Sequence, residues 1–247
     1  MATTRATAVK RKADEALDKE AKKFKSTYSK ALKIVVYQAF QRQTFAVHED
    51  LLYHYAPNLK HFSYHSSVPA AADIKIEKHL PTTFRNYLEW LYSSDEDRSR
   101  CIRTLLQPTI DGAGEKETRD QLACVKLIRL WLLTNMLGDK ACKNAVIDVL
   151  ISRACAGELC LCASSMVFIF EETDETSELR RWAVDEYTAS TTVAELDDGK
   201  DMMPEGFEGS ALRRLIEKTR KGERVGKPRL EDACLYHDHG RYEARCS

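Results

Sequence analysis

From Leu32 onward the chain passes from short β-branched runs to helical periodicity. Ile34-Val35-Val36-Tyr37 is a β-branched and aromatic run suited to a buried strand, and Thr44-Phe45-Ala46-Val47 reads as its partner, with a hairpin around Gln41-Arg42-Gln43. Leu51, Tyr55, Leu59 and Phe62 then recur at steps of four, four and three, which places them on one helical face with Asp50 as the cap. Pro57 must break or kink that helix, because it lacks the amide proton and its ring clashes with the preceding turn. Asp73 to Lys78 alternates polar and apolar, the pattern of a half-exposed strand. After Pro81, the residues Phe84, Tyr87, Leu88, Leu91 and Tyr92 fall at helical spacing, with Thr82 or Thr83 as cap.

Ser93 to Asp120 is polar and carries Pro108, Gly112 and Gly114, so it predicts a long, mobile connection. Leu122 to Leu137 is dense in Val125, Ile128, Trp131, Leu132, Leu133 and Met136, a helix buried on most sides. Gly138 stops it and Asp139 caps the next helix, whose Cys142, Ala145, Val146, Val149 and Leu150 share a face; together they predict a tight helical hairpin. Beyond Arg153 the pattern weakens. Ser177 and Ser210 each precede a Leu-Arg-Arg helix start, which predicts two short amphipathic helices, and from Gly222 the chain reads as a poorly packed tail.

Composition sets the class. The 247 residues allow one globular domain with appendages or two small ones, and 43% hydrophobic content is enough for an ordinary core. The 38 Lys and Arg are balanced by 38 Asp and Glu, so the field that draws a whole domain to phosphate backbones or anionic membranes is missing. That argues against nucleic acid as the main partner. Eight Cys are too few for a disulfide scaffold and read as buried thiols. The N-terminus lacks the apolar segment of a secretory signal, and the longest charge-free stretch, Leu159 to Phe170, is too short to span a bilayer. These features predict a soluble protein of a reducing compartment, nucleus or cytoplasm, with no membrane partner.

Residues 1–30 stand apart, with nine Lys or Arg against four Asp or Glu, a net of +5, and little apolar surface. They predict a disordered basic arm, with transient helix over Lys12 to Lys25 supported by Glu15 with Lys19 and Asp18 with Lys22. Lys10-Arg11 followed by Lys22-Lys23-Phe24-Lys25 resembles a two-part nuclear import signal; a solvated charged tail is the plainer reading.

Candidate chemistry is sparse. His48-Glu49 has its next His at His54, six residues on and off the face that a zinc-protease helix requires. His54, His61 and His65 fall at steps of seven and four, but Pro57 interrupts the helix that would align them, so surface or partly buried imidazoles are expected. Cys234, His237 and His239 bring three zinc-ligand types within six residues, although a one-residue His-to-His step and the lack of a fourth ligand set them apart from common zinc modules. Whether they bind a metal stays open on sequence grounds. Cys155, Cys160 and Cys162 lack a second pair at zinc-ribbon spacing and suit core packing. Gly112-Ala-Gly114-Glu-Lys116 does not have phosphate-loop spacing, and neither a nucleophile elbow nor a dinucleotide fingerprint is present. The hairpin at Gly138 offers a DNA-reading helix only Lys140, Lys143 and Asn144 on its outward side, so core packing is expected. No catalytic, cofactor-binding or metal-ligating residue is assigned, and the chain reads as a non-enzyme without a cofactor.

In order, these pieces resemble the BTB/POZ domain, in particular the BTB proteins of filamentous fungi. The residues that carry the likeness are Phe45-Ala-Val-His48-Glu-Asp-Leu-Leu52 with Ala56-Pro57, Phe84 with Trp90-Leu91-Tyr92, and Leu137-Gly-Asp-Lys-Ala-Cys-Lys-Asn144-Ala-Val-Ile-Asp148. Ser177-Glu-Leu-Arg-Arg181 and Cys234-Leu-Tyr-His237-Asp-His239 are similar to segments that fungal members carry beyond the core. Ala56 stands where the family has Ser, Leu59 where it has Phe, and the connection after Tyr92 lacks the usual Gly. The resemblance implies an α+β fold, a small mixed sheet flanked by helices over residues 31–155, then a helical extension over 156–221 and the tail 222–247. His48 would satisfy backbone groups at a strand-helix junction. Function would run through surfaces: homodimerisation, preferably helix-mediated since residues 1–30 lack a strand pattern to exchange, or recruitment of protein partners such as a transcriptional complex or a cullin scaffold. The alternatives are a nuclear regulator whose basic arm touches nucleic acid weakly, and a small zinc-dependent enzyme resting only on the His and Cys clusters.

Overall fold

The computed structural model describes residues 30–60, 73–104, 116–159, 161–192, 203–223 and 226–239. The chain divides into two compact units whose boundary lies between Pro81 and Thr82. Among the described residues the fold is mixed α+β and mostly helical, with one small sheet. No helix of the described residues is long and apolar enough to cross a membrane.

The first unit is built on a three-stranded sheet in the order β2-β1-β3, with β1 at Ala31–Gln38, β2 at Gln41–His48 and β3 at Ile74–Glu77. β1 and β2 are antiparallel with Ile34 opposite Phe45, and β3 runs parallel to β1 with Ile34 opposite Ile74. Ile34, Val35 and Val36 are all buried, so both faces of the central strand are covered, which is why its apolar run is unbroken. β3 keeps the predicted alternation, Ile74 and Ile76 in and Lys75 and Glu77 out. Lys33 Nζ meets Asp73 at 2.7 Å, and the Tyr37 hydroxyl donates to Glu77.

The hairpin turns at Ala39-Phe40, two residues earlier than expected. Gln41 to Gln43 pair as strand against Gln38, Tyr37 and Val36. Ala39 takes a φ of 49° and the Phe40 side chain is fully exposed. Ala-Phe carries none of the usual turn chemistry, whereas the Gln-Arg-Gln run mimics it by polarity alone. Helix α1 spans Glu49–Tyr55 with His48, not Asp50, at its N-cap; Glu49 and Asp50 lie in the first turn, where their charge favours the free N–H end. The helix closes at Ala56, before Pro57, and Leu52, Ala56 and Leu59 are buried. Phe62 lies outside the described residues.

In the helical part that follows, α2 spans Pro81–Tyr92. Proline is itself the first helical residue, a position where its missing amide proton costs nothing, so neither Thr82 nor Thr83 is the cap. Ser93 to Asp120 is not the continuous loop that its polarity suggests: α3 spans Asp95–Thr104 and α4 already starts at Lys116, spanning Lys116–Leu137. Ser94 Oγ accepts from Asp97 N–H at 3.3 Å to start α3, Ile102 anchors it in the interior, and the Arg98 guanidinium lies 4.8 Å from the Trp90 ring. Residues 105–115 are outside the described set.

The helical hairpin forms as its residues predict. Gly138 has a φ of 78°, Asp139 N–H donates to Thr134 at 2.9 Å and Gly138 N–H to Asn135 at 3.2 Å, a Schellman closure of α4. The Asp139 carboxylate accepts from Cys142 N–H at 2.9 Å and starts α5, Lys140–Cys155. α6 spans Ala163–Glu172, α7 Glu178–Ser190 with Ser177 as its cap, and α8 Phe207–Lys221. Ser210 falls within the first turn of α8, which begins after Gly206. A 3-10 helix at Leu230–Tyr236 follows.

The helices after Cys155 belong to the same compact unit as α4 and α5, a unit that begins at Thr82. The segment from Gly222, expected to be poorly packed, is corrected over residues 226–239: Tyr236 is 1% exposed and Ala233 6%, seated against α5 and α7. Trp90, Trp131 and Trp182 are almost fully buried in this unit, and truncating any of them to Ala would cost about 3 to 5 kcal/mol.

Candidate functional site

α8 is turned inside out. Phe207, Arg214 and Lys218 recur at steps of seven and four and share the inner face, where Phe207 packs edge-on against Tyr187 at 5.5 Å. Asp185, on α7 and 5% exposed, receives Arg214 Nη2 at 2.7 Å, Lys218 Nζ at 2.9 Å and the Tyr236 hydroxyl at 2.8 Å. Burial pushes the Asp185 carboxyl upward, but the hydrogen bonds and charges of Arg214 and Lys218 outweigh it and hold the group below the usual carboxylate range. Burial and the neighbouring carboxylate push the Tyr236 phenol well above its ordinary value.

The consequence appears on the other side of the helix. Leu212, Leu215 and Ile216 point outward and are 59%, 47% and 41% exposed. Rotating α8 to bury them would strip Asp185 of both cations and leave a buried charge unpaired, a penalty of about 3 to 5 kcal/mol, while the three side chains, already about half-buried, would each gain only about half of the roughly 1.5 to 3 kcal/mol that full burial gives. It would also withdraw Phe207 from the interior. Two short amphipathic helices were expected after residue 155; the apolar face of this one is its outer face.

The C-terminal segment is fastened across two helices, α5 and α7. Arg181 Nη1 donates to the Leu235 carbonyl at 2.9 Å, and Lys227 Nζ reaches the buried Glu186 at 3.2 Å. Lys143 Nζ meets Asp238 at 2.5 Å while Asn144 Oδ1 accepts from Asp238 N–H at 2.8 Å. His237 Nε2 lies 2.9 Å from Asp148 Oδ1, and Cys234 Sγ 3.2 Å from His239 Nε2. A cleft of about 370 Å³ is lined by Glu175, Arg180, Arg181, Arg213, Arg214 and Glu217 among others. Its guanidinium groups are engaged by the fold: Arg180 donates to the Phe170 carbonyl at 2.6 Å, Arg213 to Glu175 at 3.0 Å, and Arg181 and Arg214 as above.

The residues singled out by sequence scatter. His48 sits at the strand-helix junction, where its side chain makes no capping bond, and Glu49 pairs with Lys30 at 2.9 Å. His54 is exposed and edge-on to Tyr55, while His61 and His65 lie outside the described residues. Cys234, His237 and His239 are brought near one another, yet His237 turns to Asp148, and among the described residues no three His, Cys, Asp or Glu side chains are arranged to hold a metal ion. Cys155 is exposed rather than in the core, its thiol 3.3 Å from the Pro228 carbonyl. Cys162 precedes α6 half-buried; burial raises its thiol pKa, but hydrogen bonding to Ser164 and Ser165 prevails and lowers it. Cys160, Gly112, Gly114 and the basic clusters of residues 1–29 are outside the described set. Lys143 and Asn144, read as outward-facing, hold the C-terminal segment, and Lys143 is 5% exposed.

Asp185, Arg214, Lys218 and Tyr236 were not legible as a set. The available signal was the i,i+4 spacing of Arg214 and Lys218 opposite a Leu-Leu-Ile stripe, which leaves open which side faces in. In comparison with known proteins, the chain matches no family model, no curated protein and no solved structure.

Proposed function

We propose that this chain is a protein-interaction module of the BTB/POZ kind, working through its exterior by recruiting another polypeptide. The observation that carries the reading is the outward stripe of Leu212, Leu215 and Ile216 on a helix whose Arg214 and Lys218 are drawn inward to Asp185. A contiguous apolar stripe kept in water by the packing of its own helix is a surface waiting for a second surface. The small mixed sheet, with its third strand parallel to the first, and the helical hairpin at Gly138 support the reading. The same resemblance points the recruited protein toward a transcriptional complex or a cullin scaffold. No reaction is assigned to the chain.

Affinity capture from cell extract followed by mass spectrometry, run on the wild type and on Leu215→Glu, tests the reading. A protein set captured by the wild type and lost with the variant is expected. Identical captures would remove α8 as the recruiting surface.

A further inference from the structure

Three guanidinium groups surround the short connection between α6 and α7, and their residues line the cleft of about 370 Å³ that this connection forms with α7 and α8. Arg180 donates from Nε to the Thr173 hydroxyl at 3.2 Å, and from Nη2 to the Phe170 carbonyl at 2.6 Å and to the Thr173 carbonyl. Arg181 donates from Nη1 to the Leu235 carbonyl at 2.9 Å and from Nη2 to the Thr176 carbonyl at 3.4 Å. All of these acceptors are neutral. They fix the direction of two guanidinium groups without cancelling the charge, and Arg180 Nη1 and Arg181 Nε take no part in the bonds. Among the described residues neither arginine has a carboxylate within ion-pair distance. The third, Arg213, meets Glu175 at 3.0 Å, but both side chains are 68% exposed, so the pair is weak and opens readily. The other carboxylates nearby are turned elsewhere: Glu217 to Arg214 at 3.3 Å, and Asp174 to the Thr176 N–H at 2.7 Å and hydroxyl at 2.6 Å. Exposed Lys221 also lines the cleft and reaches only Glu223, at 3.9 Å.

Resting on the reading of the chain as a recruiting module, we propose that this cleft is a phosphate-ester site, which takes a phosphorylated serine or threonine of the recruited polypeptide through Arg180, Arg181 and Arg213. The charge of the ligand decides against an ordinary acidic side chain. An incoming carboxylate carries no more charge than Glu175, which already holds Arg213, so the exchange gains little. A phosphomonoester brings about −1.5 to −2 charges and three acceptor oxygens, enough to displace Glu175 and to reach the free N–H groups of Arg180 and Arg181 as well. The lining decides against a nucleotide: no aromatic side chain lines the cleft, so a base has no ring to stack on. Because carbonyls already hold Arg180 and Arg181 in place, binding has to order only Arg213 and Lys221.

Titration of the full-length, 15N-labelled chain with N-acetyl-O-phosphoserine amide, followed by amide chemical shifts, tests this. Saturable shifts confined to the Thr173–Arg181 and Ser210–Lys221 amides are expected, with a dissociation constant on the order of 1 mM for the isolated group. N-acetylglutamate amide should bind at least about tenfold more weakly, and AMP no more tightly than the phosphoserine compound. Glu175→Gln removes the competing carboxylate and should tighten binding roughly two- to fivefold, whereas Arg213→Gln should weaken it about three- to tenfold. Both positions are exposed, and a gain of affinity in Glu175→Gln cannot come from a damaged fold. Shifts that do not saturate, a glutamate compound bound as tightly as the phosphoserine, AMP bound more tightly, or two variants indistinguishable from wild type overturn the proposal. Capture from extract, repeated after phosphatase treatment of the extract, should lose the partner that the wild type retains. If phosphoserine does not bind while capture still depends on Leu215, the phosphate site falls and the recruiting reading stands. Capture indifferent to both Leu215 and phosphatase takes down the recruiting reading and, with it, the polypeptide as the ligand of the cleft.

Discussion

Asp139 performs two tasks with opposed electrostatic demands. Its carboxylate must accept the Cys142 N–H at 2.9 Å and the Tyr87 hydroxyl at 3.0 Å, yet the side chain is almost fully buried. Burial dominates and pushes the group up to about 6, with the Cys142 and Tyr87 hydrogen bonds and the Arg98 charge only partly opposing it. A carboxyl with a folded pKa above its unfolded value holds a proton that the unfolded chain has already released. Stability therefore falls as pH rises from about 4 to about 6, by roughly 2 to 3 kcal/mol from this group. Asp139→Asn keeps a capping oxygen and removes the titration, so the difference between wild type and variant in urea-unfolding free energy should change by about that amount across the window. A constant difference from pH 4 to 7 would show that burial does not govern the group. Ala39 is the converse case: its φ of 49° strains a residue with a Cβ, and Ala39→Gly should stabilise the chain by roughly 0.5 to 1 kcal/mol in the same assay. The Asp139 cap was legible because Gly-Asp between two apolar helices is local chemistry. The Ala39 turn was not, because nothing in Ala-Phe announces a left-handed backbone.

Among the elements, α7, α8 and the C-terminal 3-10 helix stand or fall together through Asp185. Asp185→Ala leaves Arg214 and Lys218 facing an apolar interior and should cost about 3 to 5 kcal/mol, whereas Tyr236→Phe removes one hydrogen bond and should cost about 1 to 1.5 kcal/mol; chemical denaturation measures both. The folded pKa of Asp185 lies below the unfolded one, so its contribution is present above about pH 4 and is lost as the pH falls into the acid range, opposite in sign to Asp139. A Tyr236→Phe cost as large as that of Asp185→Ala would mean that packing of the ring, not the shared carboxylate, holds the segment. Secondary structure was read best where apolar periodicity was dense, as in α4 and α5. α3 escaped because one residue, Ile102, anchors it, so it has no periodic stripe to read, although Ser94 followed by Asp97 was its capping signature.

Across the whole molecule, the described residues form two compact units, and the second runs on through the C-terminal segment without a break after residue 155. The clasp of that segment is built from hydrogen bonds and ion pairs to α5 and α7, with His237 committed to Asp148. Addition of zinc, or of a chelator, should therefore leave the thermal midpoint of the full chain unchanged to within about 1 °C, since a ligand that binds only the folded state raises it. A zinc-dependent rise reversed by chelator would return Cys234, His237 and His239 to consideration as a metal site. By itself the sequence determined the strands at Ile34, Phe45 and Ile74, the break at Pro57 and the hairpin at Gly138, because periodicity, caps and breakers act between residues a few positions apart. Only the tertiary structure decided that the α8 leucines face water and that the tail is anchored. Those outcomes depend on Asp185, which lies 29 residues from Arg214 and 51 from Tyr236, and on the cost of leaving its charge unpaired, which no local pattern encodes.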